Sequence, residues 1–255
     1  MKERGKPSTR RDFLRQASGL AAGALAAGAG PLAAQRGAAL PTARTSALMT
    51  AFGLKYPIFC AGMGGPAGPD LAIAVSNAGG LGGIGGGAGA AADVLRDRVA
   101  RTRAGTNRPF AVNYLLARGE PATVPIALDA GAAVIQFAWG VPAADVVATI
   151  TKAGAKMGVQ VASAAGARRA LDLGADYLIC QGTEAGGHVQ SSRALYELLP
   201  AILDEAKTVP VLAAGGIASG AHIRRALLAG AAGVLIGTRF VATEEAAAHA
   251  DYKRV

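Results

Sequence analysis

His188, which closes the segment Gln181-Gly182-Thr183-Glu184-Ala185-Gly186-Gly187-His188, is the residue of this chain best suited to acid–base work. Imidazole titrates near neutrality, as a general base requires. Gly186 and Gly187 before it offer backbone freedom and clear space for a ligand. His222 and His249 fall early in a helix-like segment and in a charged terminal stretch, where surface placement is the default. A second set of residues suits an anion: Gly215-Gly216 and Gly237-Thr238 end two consecutive apolar runs. Glycines there let backbone N–H groups approach a phosphate, and the threonine adds a hydroxyl. Each Gly-Gly taken singly also suits a tight turn; their recurrence at consecutive run ends favours the phosphate. Gly79-Gly80 and the glycines from Gly82 to Gly87 bracket an apolar run instead of following one, so a dinucleotide loop is weakly supported. Cys60 and Cys180 sit inside apolar runs without the paired spacing of zinc sites, and read as small core residues. No Ser/His/Asp set or Cys/His pair supports covalent catalysis.

The elements that must position these residues alternate regularly. Short apolar runs predict strands at 56–62, 81–86, 109–116, 133–138, 157–162, 176–181, 210–214 and 233–237. Ala-rich segments predict helices near 68–78, 90–104, 142–154, 164–173, 191–207 and 219–229. Such alternation implies a covered parallel sheet with right-handed crossovers. Eight strands with Gly-rich ends favour an α/β (β/α)8 barrel, a TIM barrel, over an open doubly wound sheet. The crossover between the third and fourth strands is short and holds Pro121 and Pro125, and the chain stops at Val255 where an eighth helix is due. The barrel is therefore expected to be shortened, and poorly sealed, at the third crossover and the C-terminus. In such barrels the active site lies where the strands end at their C-termini. That rule selects Gly62 and Met63 after the first strand, Asn113 and Gln136 within the third and fourth, Gln181 to His188 after the sixth, Gly215-Gly216 after the seventh and Gly237-Thr238 after the eighth.

Composition excludes some classes. Half of the residues are hydrophobic, which is ample for one large core. Of the net charge of +9, +4 falls on residues 1–34, and the rest is scattered without basic–aromatic blocks. A moderately basic surface is favoured over nucleic-acid binding. Thr9-Arg10-Arg11-Asp12-Phe13-Leu14 precedes a mild Ala/Gly/Leu run from Gly19 to Ala34, a pattern that resembles a twin-arginine export signal and is short for a membrane span. The domain reading is a leader and lead-in at 1–39, a linker at 40–54 and a barrel at 55–255, with an exported, periplasmic or extracytoplasmic destination and no stable membrane span afterwards.

The segment Gln181 to His188 resembles the signature of the nitronate monooxygenase family (formerly 2-nitropropane dioxygenases). Pro57 to Met63 with Val75 to Gly82 is similar to its first βαβ unit, and Pro109 to Asn113, Val211 to Ala218 and Gly237 to Thr243 match three further family segments. The resemblance implies FMN as cofactor. It places Gly62 and Met63 against the isoalloxazine ring, Asn113 and Gln181 at its polar edge, and Gly186 close to the flavin, with Gln136 and Gly187 counted among the cofactor-binding residues. Gly216 with Leu235, Ile236, Gly237 and Thr238 would hold the phosphate, Gly215 beside them as the strand-end reading already places it, with His188 catalytic on the substrate side. The implied activity is oxidation of alkyl nitronates or nitroalkanes with O2 to carbonyl compounds and nitrite. Two alternatives stay open: an NAD(P)H-dependent flavin reductase of the enoyl or quinone type, and an exported FMN-binding protein without turnover.

Overall fold

The computed structural model describes residues 41–86, 91–119 and 121–254, so the expected export leader lies outside the described residues. The strands are β1 (Ile58–Cys60), β2 (Gly82–Gly85), β3 (Phe110–Leu115), β4 (Val134–Ala138), β5 (Lys156–Val161), β6 (Tyr177–Gln181), β7 (Val211–Ala214) and β8 (Gly233–Ile236). They form one eight-stranded parallel sheet in the order β1-β8-β7-β6-β5-β4-β3-β2. A bridge between Phe59 and Leu81 brings β2 back to β1. The result is a nearly closed (β/α)8 barrel.

Its thinnest seam is that bridge, not the third crossover or the C-terminal end. β8 is in full register with β1, pairing Ile58, Phe59 and Cys60 with Val234, Leu235 and Ile236. The β3–β4 crossover is short, as expected, but it carries a six-residue helix, α4 (Val124–Asp129), with Pro125 in its first turn. Proline is tolerated there because the first N–H groups of a helix have no intrahelical partner.

Alternation along each strand sorts side chains into two cores. Phe59, Leu81, Ala111, Val134, Tyr177, Ile179 and Leu212 fill the barrel interior. Ile58, Cys60, Ile84, Ile135, Val159, Cys180 and Val234 point outward against the helices. Those helices include α2 (Pro69–Ala78), α3 (Ala92–Gly105), α5 (Ala144–Lys152), α6 (Ala164–Asp172), α7 (Leu195–Ala206), α8 (Gly220–Leu228) and the short α9 (Thr238–Val241). Cys60 and Cys180 are free and buried.

The linker expected at 40–54 is corrected here: α1 (Ala43–Phe52) plugs the bottom of the barrel. Thr42 caps it by accepting from the Thr45 N–H at 3.2 Å, and Gly53 ends it at φ 61°. Its buried face is Thr45, Leu48 and Phe52, a helical spacing whose short, Thr-diluted apolar stripe resembles loop composition. Phe52 meets Phe59 and Tyr177 edge-on, with ring centroids 5.6 and 5.4 Å apart. Gly158 on β5 makes room for this cluster, because a Cβ there would run into the Tyr177 ring. Among the described residues, no helix is long and apolar enough to cross a membrane.

Candidate active site

Beyond Ile179 and Leu212 the barrel interior turns polar. Asn113 on β3, Gln136 on β4, Gln160 on β5 and Gln181 on β6 form an arc of amides on consecutive strands, with Asn113 directly opposite Gln136 in the ladder. A cavity of about 990 Å³ opens above them at the C-terminal strand ends. Every residue singled out from the sequence lines it: Gly62, Met63, Asn113, Gln136, Gln181, Gly186, Gly187, His188, Gly215, Gly216, Leu235, Ile236, Gly237 and Thr238.

The amides differ in how they are held. Gln160 Nε2 donates to Gln181 Oε1 at 3.1 Å and to Gln190 Oε1 at 3.3 Å, and the Gln190 N–H donates back to Gln181 Oε1 at 3.1 Å. Asn113 Nδ2 makes only a long contact to the Gly62 carbonyl, at 3.5 Å. Gln136 is 1% exposed. Its Nε2 and the Tyr177 hydroxyl beside it interact with each other but fall short of hydrogen-bond geometry, and neither has another partner among the described residues. A buried donor left unpaired is costly. It marks a place where a ligand acceptor would fit.

The glycines earn their positions unequally. A Cβ on Gly62 would stand 2.5 Å from the Asn113 Cβ, and one on Gly186 would stand 2.7 Å from the Thr238 Oγ1. Gly215 and Gly216 have φ of 108° and 66°, a successive pair that other residues adopt with strain. Gly187 has open space where a Cβ would sit, and neither it nor Gly186 has a positive φ. The expected backbone freedom before His188 is therefore not used; close approach to Thr238 is what requires glycine, and only at Gly186.

His188 is exposed on the loop after β6, and its imidazole has no hydrogen-bond partner among the described residues. Glu184, in the same loop, turns its carboxylate to the Leu195 N–H at 2.9 Å, capping α7 in place of Ala194, which has no capping side chain. This cap from a distant residue is why α7 begins at Leu195 and not near 191. His222 and His249 lie away from the cavity; His222 Nδ1 accepts from the Ala218 N–H, and His249 faces Asp251. Among the described residues, no group of three His, Cys, Asp or Glu side chains is placed to hold a metal.

Sequence reasoning missed Gln160, Gln190, Trp139 and Arg118, of which all but Gln190 line the cavity. Gln160 carried a usable signal, a polar side chain between two valines in a strand otherwise apolar. Trp139, the single tryptophan, immediately follows a strand.

A parallel barrel whose C-terminal mouth joins an amide arc, a glycine cradle and one histidine defines a cofactor-scale binding site of the (β/α)8 class. The nitronate monooxygenase family model matches residues 45–127 and 118–255, and the chain belongs to that family. It is 37% identical over 207 residues to an indene-carboxyl-CoA dehydrogenase of Rhodococcus jostii, a match spanning 81% of this chain and 57% of that protein. It is 32% identical over 258 residues to the nitronate monooxygenase of Paraburkholderia phytofirmans, spanning 82% of this chain and 69% of that one. The structure of FabK from Thermotoga maritima superposes with a TM-score of 0.77 at 35% identity, covering 82% of this chain and 66% of that one. The chain thus spans little more than half the length of the first of these relatives.

Proposed function

We propose that the cavity binds FMN and that the protein oxidises alkyl nitronates or nitroalkanes with O2, yielding carbonyl compounds and nitrite. The observation that carries the cofactor reading is the buried Gln136 donor, which meets only the Tyr177 hydroxyl and in poor geometry, within an arc of neutral amides. Amides offer both donors and acceptors without charge, which matches the alternating polar edge of an isoalloxazine. Gly62 and Met63 would lie against the ring, Asn113, Gln136 and Gln181 along its edge, and Gly186 close to it. Gly215, Gly216, Gly237 and Thr238, with Leu235 and Ile236 beneath, would cradle the phosphate. Bound FMN would supply electron transfer and the reaction with oxygen.

The chain's own work is binding and proton handling. His188 would take the α-proton of a neutral nitroalkane, or steady a nitronate that arrives as an anion. Ile179 and Ala214, apolar and buried in the cavity lining, would exclude water from that part of the site. The test is an absorption spectrum of the purified protein, followed by nitrite release from a nitronate in air. A colourless protein whose thermal midpoint ignores FMN would refute the reading.

The similarity to an acyl-CoA-type dehydrogenase and to FabK favours a second reading, a flavin reductase or dehydrogenase that uses pyridine nucleotide. Anaerobic bleaching of the flavin by NADH or NADPH would select it. We also propose export through the twin-arginine route. A reporter fused to residues 1–39 should reach the periplasm only in cells with that translocase, and an Arg10→Lys, Arg11→Lys leader should stay inside.

A further inference from the structure

Trp139 stands just past β4 at the cavity mouth and is 39% exposed. Its φ is 63°, a left-handed conformation that bulky side chains rarely adopt and that persists only where neighbours hold it. What holds it is the loop that carries His188. The Trp139 N–H donates to Gln190 Oε1 at 3.3 Å, and the indole Nε1 donates to the His188 carbonyl at a long 3.5 Å. Gln190 is itself clamped from below by Gln160 and Gln181. His188 thus hangs between Gly186-Gly187 on one side and this network on the other. Its imidazole has no protein partner among the described residues to orient it.

We propose that Trp139 is a positioning residue: it fixes the His188 backbone from the β4 side, and its exposed indole walls the substrate side of the mouth. The proposal rests on reading His188 as the acid–base residue. If it holds, the strained backbone at Trp139 is maintained by the two donors it directs at the histidine loop.

Trp139→Phe keeps an aromatic wall and deletes the indole donor; Trp139→Gly relieves the strained φ and removes the wall and the indole donor while keeping the backbone N–H. In the full chain with FMN, Trp139→Phe should lower kcat for a small nitroalkane by roughly 3- to 10-fold, the worth of one hydrogen bond. Its thermal midpoint should stay near that of the parent. Trp139→Gly should also raise KM. The loss caused by Trp139→Phe should vanish in a His188→Asn background, because a residue acting through the histidine has nothing left to position. Losses that multiply in the double variant, or a Trp139→Phe protein indistinguishable from the parent, overturn the proposal. A separate readout needs no turnover: in the flavin-free chain, Trp139→Phe should speed amide exchange in the peptide spanning 185–190, and unchanged exchange there overturns it as well. Full nitroalkane turnover by His188→Asn alone would instead overturn the acid–base reading and, with it, the role of Trp139.

Discussion

Replacing Gln136 by leucine should move stability and cofactor affinity in opposite directions. In a flavin-free chain the Gln136 amide is 1% exposed, and its Nε2 makes no well-formed hydrogen bond among the described residues. An unpaired buried donor costs about 1–3 kcal/mol, and leucine occupies similar space without a polar atom. Flavin-free Gln136→Leu should therefore be as stable as the parent or gain about 1–2 kcal/mol, which for a domain of this size raises the thermal midpoint by roughly 2–8 °C. With the donor gone, FMN should bind about 5- to 150-fold more weakly, the equivalent of ~1–3 kcal/mol. Quenching of Trp139, the sole tryptophan, during FMN titration reads affinity, and thermal unfolding with and without FMN reads stability. A Gln136→Leu protein that is less stable without flavin yet binds FMN as tightly as the parent refutes the reasoning. Gln136 would then be a core residue bonded to the Tyr177 hydroxyl, and Tyr177→Phe, expected to be neutral, would destabilise instead.

Three further outcomes can be checked. His188→Asn should keep FMN while nitrite release from a neutral nitroalkane falls about 10²- to 10⁴-fold, the usual share of a general base. With a preformed nitronate the loss should stay below roughly tenfold, because no proton has to be removed. Gly158→Ala places a Cβ in the Tyr177 ring and should cost about 1–3 kcal/mol by overpacking, read as a lower urea midpoint. Burial pushes the Cys60 and Cys180 thiols up to about 12. Both are neutral in the folded chain, so their contribution to stability is complete below pH 9 and is lost as pH rises from the ordinary thiol value toward 12. Thiol reagents at pH 8 should label neither cysteine until the chain unfolds, and fast labelling of the native protein would contradict the burial.

The barrel was legible because its signals are local. Short apolar runs separated by helix-length Ala-rich segments locate each strand, and Ser163 and Ser219 cap α6 and α8 as their residue type predicts. The rule that function gathers at strand C-termini then picked Gly62, Gln181 and Gly216, because each stands at or just past a strand end in the sequence itself. Other features depend on which distant residues meet. The helical face of Thr45, Leu48 and Phe52 acquires meaning only when the open bottom of a barrel receives it. Gln160 belongs to the site because the β5–β6 ladder lays it beside Gln181 and beneath Gln190. Trp139 joins it because Gln190 and the His188 carbonyl lie within its reach. Sequence alone thus determined the eight-strand architecture, the glycines and the histidine, through periodicity and residue type. Tertiary structure decided the plug, the seam at β1–β2 and the network behind His188, because strand register and long-range packing set contacts that no local pattern encodes.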